Sequence, residues 1–188
     1  MAEREAGRVL DGRVEVDDAY LGGERPGKRG RGSENKVPFV VAVQTSEDGR
    51  PLWARINRVT LTQEGLARWA STALTASAQV VSDGLNCFNA VAATAASHTA
   101  IVVGSGRQAV THPEFRRVNT VLSNLKTAIA GTYHAFNFAK YADRYLAEVQ
   151  YRFNRRFDLR SILARLLRAA VLTAPRPEPM IRLAEARG

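Results

Sequence analysis

Apolar and polar positions divide the chain into a strand-rich first half and a helix-rich second half. Arg13–Leu21 alternates, is rich in valine, and predicts a strand closed by Gly22-Gly23. Val37–Thr45 is an unbroken apolar run of strand length, as expected for a buried strand. Ser46-Glu47-Asp48-Gly49 is a hairpin signal, and Pro51–Val59 supplies a third strand. Thr60 or Thr62 can then cap a helix with Leu66, Trp69, Ala70 and Leu74 at helical spacing. Ala78–Ser82 predicts a fourth strand ending in Asp83-Gly84, Phe88–Ala96 a short helix, and Thr99–Val103 a fifth strand stopped by Gly104.

From Phe115 the periodicity is helical. Over Phe136–Phe157, Phe138, Ala142, Tyr145, Val149 and Phe153 form one apolar stripe. Lys140, Arg144, Glu148, Arg152 and Arg156 recur on another face, which predicts a solvated surface with weak i,i+4 ion pairs. Ser161 can cap a further helix through about Leu172, and Pro175, Pro177 and Pro179 then begin a tail. Three sequential strands followed by alternating helix and strand imply an α/β fold, a mixed sheet covered by helices in the order βββαβαβα. The expected division is a short N-terminal segment (1–12), a core (13–135), basic C-terminal helices packed on it (136–174) and a Pro-rich tail (175–188).

Length and composition narrow the function classes. A chain of 188 residues with 45% hydrophobic and 24% charged residues can bury a proper core and is not of disordered type. Residues 1–100 hold 12 Lys/Arg and 12 Asp/Glu, whereas residues 101–188 hold 15 and 6, so the net charge of +9 sits in the second half. That asymmetry points to a polyanion, nucleic acid before lipid, with a basic protein lacking any such partner as the competing explanation. A single cysteine, Cys87, excludes an internal disulfide and a Cys-based zinc site, and a reducing cytoplasm is the natural compartment. Cys87 reads as a small buried residue rather than a nucleophile. No apolar run approaches the ~20 residues of a membrane helix, and MAEREAGRVLDG has no signal-peptide core.

Candidate chemistry lies at the ends of the strands. Asp17 and Asp18 fall in the first strand; pleat alternation sends them to opposite faces, so only one is expected to face a shared site. Glu15 shares the face of Asp17 and could assist it. Asp83 follows Gln79-Val80-Val81-Ser82 at the carboxyl end of a strand, where ligand sites of open α/β sheets lie; a plain Asp-Gly turn is the alternative. Asn119 and Lys126 are seven residues apart, nearly two helical turns, on one face of a helix; alternatively, Asn119-Thr120 caps that helix. Asn124 is another polar position nearby. His98, His112 and His134 are not spaced as a zinc site.

Four segments in fixed order, VEVDDAYLGG, VVSDGLNCF, NTVLSNLK and GTYH, resemble the RNase H-like catalytic domain of bacterial insertion-sequence transposases of the DDE type. The resemblance is to the branch in which Asn replaces the third acid and Lys follows, and it runs from about Val14 to about Arg168. It implies that Asp17, Asp83 and Asn119 hold Mg²⁺, with Mn²⁺ able to substitute, and that Lys126 works beside them. It also implies DNA partners (transposon ends and target), a homo-oligomer when active, and a nucleoid-associated location. His134 matches a recurrent segment of that family. The glycine- and arginine-rich stretch from Gly22 to Lys36, with Arg25, Lys28, Arg29, Arg31 and Lys36, is expected to track a nucleic-acid backbone beside Asp17, with an ordinary solvated loop as the alternative. Relatives usually carry a recognition module ahead of the core, and the short segment before the first strand suggests that it is lacking. A catalytically silent DNA-binding remnant and a metal-dependent RNase H-like nuclease remain open as other functions.

Overall fold

The structure, a computed structural model, describes residues 1–22, 36–102, 112–133 and 138–182. After a short helix α1 (Ala2–Glu5), three strands follow: β1 (Arg13–Leu21), β2 (Val37–Thr45) and β3 (Pro51–Arg58). Helix α2 (Gln63–Ala73) leads to β4 (Gln79–Asp83), a 3₁₀ segment (Asn86–Ala93) and β5 (Ser97–Ile101). A 3₁₀ turn (Pro113–Phe115) opens helix α3 (Arg116–Thr132), followed by α4 (Phe138–Phe153), α5 (Leu159–Leu172) and α6 (Glu178–Arg182). The strands form one sheet in the order β3-β2-β1-β4-β5. β1 is antiparallel to β2 and parallel to β4, which is the RNase H-like topology. The first three strands fall where the apolar pattern puts them. Thr62 caps α2, its hydroxyl accepting from the Gly65 N–H at 3.1 Å.

Alternation along β1 supplies two cores. Val14 and Val16 face α2 and the 3₁₀ segment, packing with Leu66, Trp69, Phe88 and the buried Cys87. Ala19 and Leu21 face the other way, toward α3 and α4, with Phe39, Val41, Val118, Leu125 and Leu146. Burial of the Val, Leu and Phe side chains among these stabilises the fold by roughly 1.5–3 kcal/mol for each one fully buried.

Helix α4 departs from its expected pattern. The residues it buries most deeply include Ala142, Leu146 and Gln150, with Asn154 buried just past its end, whereas Val149 and Phe153 are half-buried beside them. The two amides complete the backbone of edge strand β3. The Ile56 N–H donates to Gln150 Oε1 at 2.7 Å. The Ala54 N–H donates to Asn154 Oδ1 at 2.8 Å, and Asn154 Nδ2 donates to the Ala54 carbonyl at 3.0 Å. Asn154 also donates to Glu5, which pairs with Arg155, so α1 is tied to the same corner. Glu148 and Arg152 do form an exposed pair at 3.1 Å. Arg156 instead donates to the carbonyls of Pro51 and Leu52 and lies over Phe153 and Phe157.

Three boundaries differ from expectation. Helix α5 starts at Leu159 after Asp158, with Ser161 inside the first turn donating back to Asp158, so Ser161 is not the cap. The proline-rich tail contains α6, because proline is tolerated in a first helical turn and Pro177 supplies its carbonyl to Met180 and Ile181. The fifth strand runs Ser97–Ile101, two residues earlier than the apolar run suggests, since parallel pairing with Gln79–Asp83 sets its register.

Gln150→Ala should cost about 1–3 kcal/mol, because a buried backbone N–H loses its acceptor. Arg152→Ala should change stability by no more than about 0.5 kcal/mol. Urea unfolding of both variants checks the contrast.

Candidate active site

β1 pairs with β2 along its whole length but with β4 only over Arg13–Val16, the last rung being Val16 with Ser82. The next residues, Asp17 and Asp83, lie where the two parallel strands part. β4 stays paired with β5 through Asp83 and Ile101. Asp83 accepts the Leu85 N–H at 3.2 Å, so it organises the turn into the 3₁₀ segment as well as facing β1. Ser82 is buried and bonds His98 Nε2 at 2.8 Å, which fixes the strand end from the other face.

Oxygens of Asp17, Asp18 and Asp83 all lie within 4.8 Å of one another. This corrects the expectation that only one of the two adjacent aspartates can reach the site. Their backbones do alternate: Asp17 is opposite Val41, in the α3-side core, and Asp18 is opposite Val40, in the α2-side core. The carboxylates converge nonetheless because β4 no longer flanks β1 here. Asp17 Oδ1 accepts the Asp18 N–H at 2.8 Å, which draws its carboxylate toward the plane of the sheet.

Burial, reinforced by the charges of Asp18 and Asp83, pushes the Asp17 carboxyl up to about 7. The Asp18 N–H and the charge of Lys126 act in the opposite direction. Three hard oxygen donors that repel one another fit a divalent cation, which would relieve the repulsion.

Glu15 does not join this cluster. It is 3% exposed and accepts the N–H groups of Arg117 and Val118 at 2.8 and 3.0 Å, at the start of α3. Burial raises its pKa, against those two bonds and the nearby Arg13. It is therefore a helix anchor rather than an auxiliary ligand.

Asn119 is half-buried in α3, three residues past its first residue, Arg116, so it does not cap the helix. Lys126 is exposed on the same flank, near enough for its charge to act on Asp17. Asn124 is exposed. Lys36 is half-buried just before β2, whereas Arg25, Lys28, Arg29, Arg31 and His134 lie outside the described residues. His112 accepts the Glu114 N–H at 3.4 Å and packs on Phe115, away from any metal-type grouping among the described residues.

A mixed sheet ordered 3-2-1-4-5 with acids at the parting of its central parallel strands is the RNase H-like arrangement. Residues 9–154 match the model of the ISXO2-like transposase domain, and the chain belongs to that family of DDE transposases. The family implies DNA as the partner and divalent metals as the general cofactor class. No curated protein and no solved structure matches the chain. No helix among the described residues is long and apolar enough to cross a membrane.

With a folded pKa near 7 against an ordinary 3.8, Asp17 holds a proton that the unfolded chain releases. Its stabilising contribution is complete below the ordinary value and is lost as pH rises through 7. In EDTA at pH 8, Asp17→Asn should therefore be more stable than the parent by on the order of 2 kcal/mol, with no gain near pH 4. Adding Mn²⁺ at pH 8 should reverse the order, since only the parent keeps the full ligand set. Thermal unfolding across pH, with and without metal, reads both effects.

Proposed function

We propose that this domain performs Mg²⁺-dependent phosphodiester cleavage and strand transfer at the ends of an insertion sequence, with Mn²⁺ as a working substitute. The observation that carries the reading is the convergence of Asp17, Asp18 and Asp83 at one strand parting, with the charge of Lys126 directed at the same place. Asp17 and Asp83 are assigned as metal ligands, and Asp18 adds negative charge beside them. Asn119 offers a neutral carbonyl oxygen, so the set carries less charge than three acids with a fourth would. Lys126 holds the scissile phosphate as a point charge and neutralises charge that develops on it. When bound, the cations activate the attacking oxygen and stabilise the leaving one in an in-line displacement. Transposon ends and target DNA are the substrates, handled by more than one copy of the chain in the nucleoid.

The proposed division is a core through about residue 135 followed by a basic helical region; within that region α4 docks on β3 through Gln150 and the adjoining Asn154, whereas α5 buries none of its residues. The Gly22–Lys36 stretch, with its five cations and two acids, is assigned to backbone phosphates.

Nicking of duplexes bearing the element's terminal repeats, compared with RNA and RNA–DNA hybrids, tests the reading. Asp17→Asn and Asp83→Asn should each lower metal-dependent cleavage by about a thousandfold or more while DNA affinity stays near that of the parent. Asp18→Asn should be milder than either. Asn119→Ala and Lys126→Ala should each reduce turnover by about 10- to 100-fold. Full activity in Asp17→Asn, or preferential cleavage of RNA, would remove the assignment.

Affinity for duplex DNA should fall steeply with salt. Replacing Lys28, Arg29 and Arg31 together by Ala should flatten the plot of log affinity against log salt by roughly 0.9 for each lost phosphate contact, for all sequences alike. An unchanged slope in a salt titration would place the DNA elsewhere.

A further inference from the structure

We infer that Glu15 is a positioning residue of the cleavage site: by gripping the start of α3 it sets Asn119 and Lys126 against the acid cluster. This rests on the function proposed above, and it gives that site a component outside its ligands.

Helix α3 brings no cap of its own. Phe115, at the N-cap position, makes no side-chain bond to the helix, and the first turn contains no acidic residue. Helix starts leave backbone N–H groups that need acceptors. Here the acceptor comes from β1, with a sequence separation of 102 and 103 residues: one oxygen of Glu15 takes the N–H groups of both Arg117 and Val118. An anionic acceptor at this end also suits the positive pole of the helix dipole.

The grip has a second half. Glu15 Oε1 faces Arg13 Nη2 at 3.7 Å. The same nitrogen donates to the Glu114 carboxylate at 2.6 Å and to its carbonyl at 3.2 Å. Arg13 thus holds Glu114, two residues before the helix start, and Glu15 holds the residues just after it.

Arg13, Glu15 and Asp17 project from one face of β1, because side chains alternate along a strand. At a rise of about 3.3 Å per residue, Asp17 lies about 7 Å beyond Glu15. At 1.5 Å per residue along the helix, Asn119 is about 1.5 Å past Val118 and Lys126 about 12 Å past it. A helix that starts level with Glu15 and runs up the strand therefore brackets the level of Asp17 between these two side chains. Val118, Leu122 and Leu125 are buried on the same sheet face and hold the helix down, but apolar packing is not directional along the strand. The Glu15 bonds are directional, and they supply the axial register. A shift of about 1 Å in reacting groups can cost 10²-fold in rate, so a slipped α3 should cost turnover rather than DNA binding.

The test uses the full chain and Mn²⁺-dependent nicking of a terminal-repeat duplex, well below every variant's melting temperature. Glu15→Ala and Glu15→Asp (too short to reach both N–H groups) should lower kcat about 30-fold or more, with KM for DNA within about threefold. Glu15→Gln keeps an acceptor at the same reach and should stay within about fivefold of the parent. Leu66→Ala, in the core of the opposite sheet face, should lose at least as much stability yet keep kcat within about threefold. Because Glu15 acts through both Asn119 and Lys126, adding Glu15→Ala to an Asn119→Ala, Lys126→Ala chain should slow it by no more than about a further threefold.

Absence of cleavage by the parent chain would count against the proposed function, and Mn²⁺ titration would then decide the role of Glu15. There, Glu15→Ala and Asn119→Ala should each weaken Mn²⁺ binding by about 10-fold, and the double variant no further. Parent-like kcat in Glu15→Ala, an equal loss in Leu66→Ala, or independent losses in either combined variant would overturn the inference.

Discussion

β1 hydrogen-bonds to β2 over nine residues but to β4 over only four, and most of what is distinctive here follows from that inequality. A central strand that kept both partners would hold Asp17 and Asp18 strictly on opposite sides. Once β4 leaves, the end of β1 is flanked by a strand on one side only among the described residues, and the backbone N–H of Asp18 is taken by the neighbouring carboxylate. The parting is therefore both a gap in the ladder and the cleft in which the acids meet. Its depth is set by the short fourth strand and the turn that Asp83 organises.

Collecting carboxylates in a half-buried cleft works against the folded chain. Asp17 carries that opposition most visibly, held protonated near neutrality by burial and by its acidic neighbours. Lys126 and the Asp18 N–H offset part of it without cancelling it. The surrounding sheet, with its two apolar faces, keeps the acids from relaxing apart. Membership of the ISXO2-like transposase family gives this arrangement its chemical meaning, since an anion-lined cleft is useful when cations and phosphate must be drawn together.

Much of this was legible in the sequence, and the reasons are local. Arg13–Leu21 alternates and Val37–Thr45 is an apolar run of strand length, and Asp83 stands at a strand end that its own valines announce. What escaped notice depends on partners far away in the chain. Glu15 reads from the sequence as an aid to Asp17 because its acceptor role involves amides more than a hundred residues on. Gln150 and Asn154 carry no local signal of burial, because amide side chains are usually solvated, and only the edge of β3 gives them reason to be buried. The convergence of Asp17 and Asp18 escaped the pleat rule because that rule assumes a strand flanked on both sides. Family resemblance located the acids; it carried no information about which residue anchors α3.

Gln150 and Asn154, at the end of α4 and just past it, impersonate a sixth strand, and their spacing limits how far the impersonation can go. One pair of positions four apart on a helix advances about 6 Å, and two residues of a strand advance about 6.6–6.8 Å. Gln150 and Asn154 can thus meet Ile56 and Ala54 almost in step, but each added rung would drift by most of an ångström. The position one turn earlier is Leu146, wholly apolar and facing the core. The helix gives up hydrogen bonding where the two periodicities fall out of phase, and packs instead.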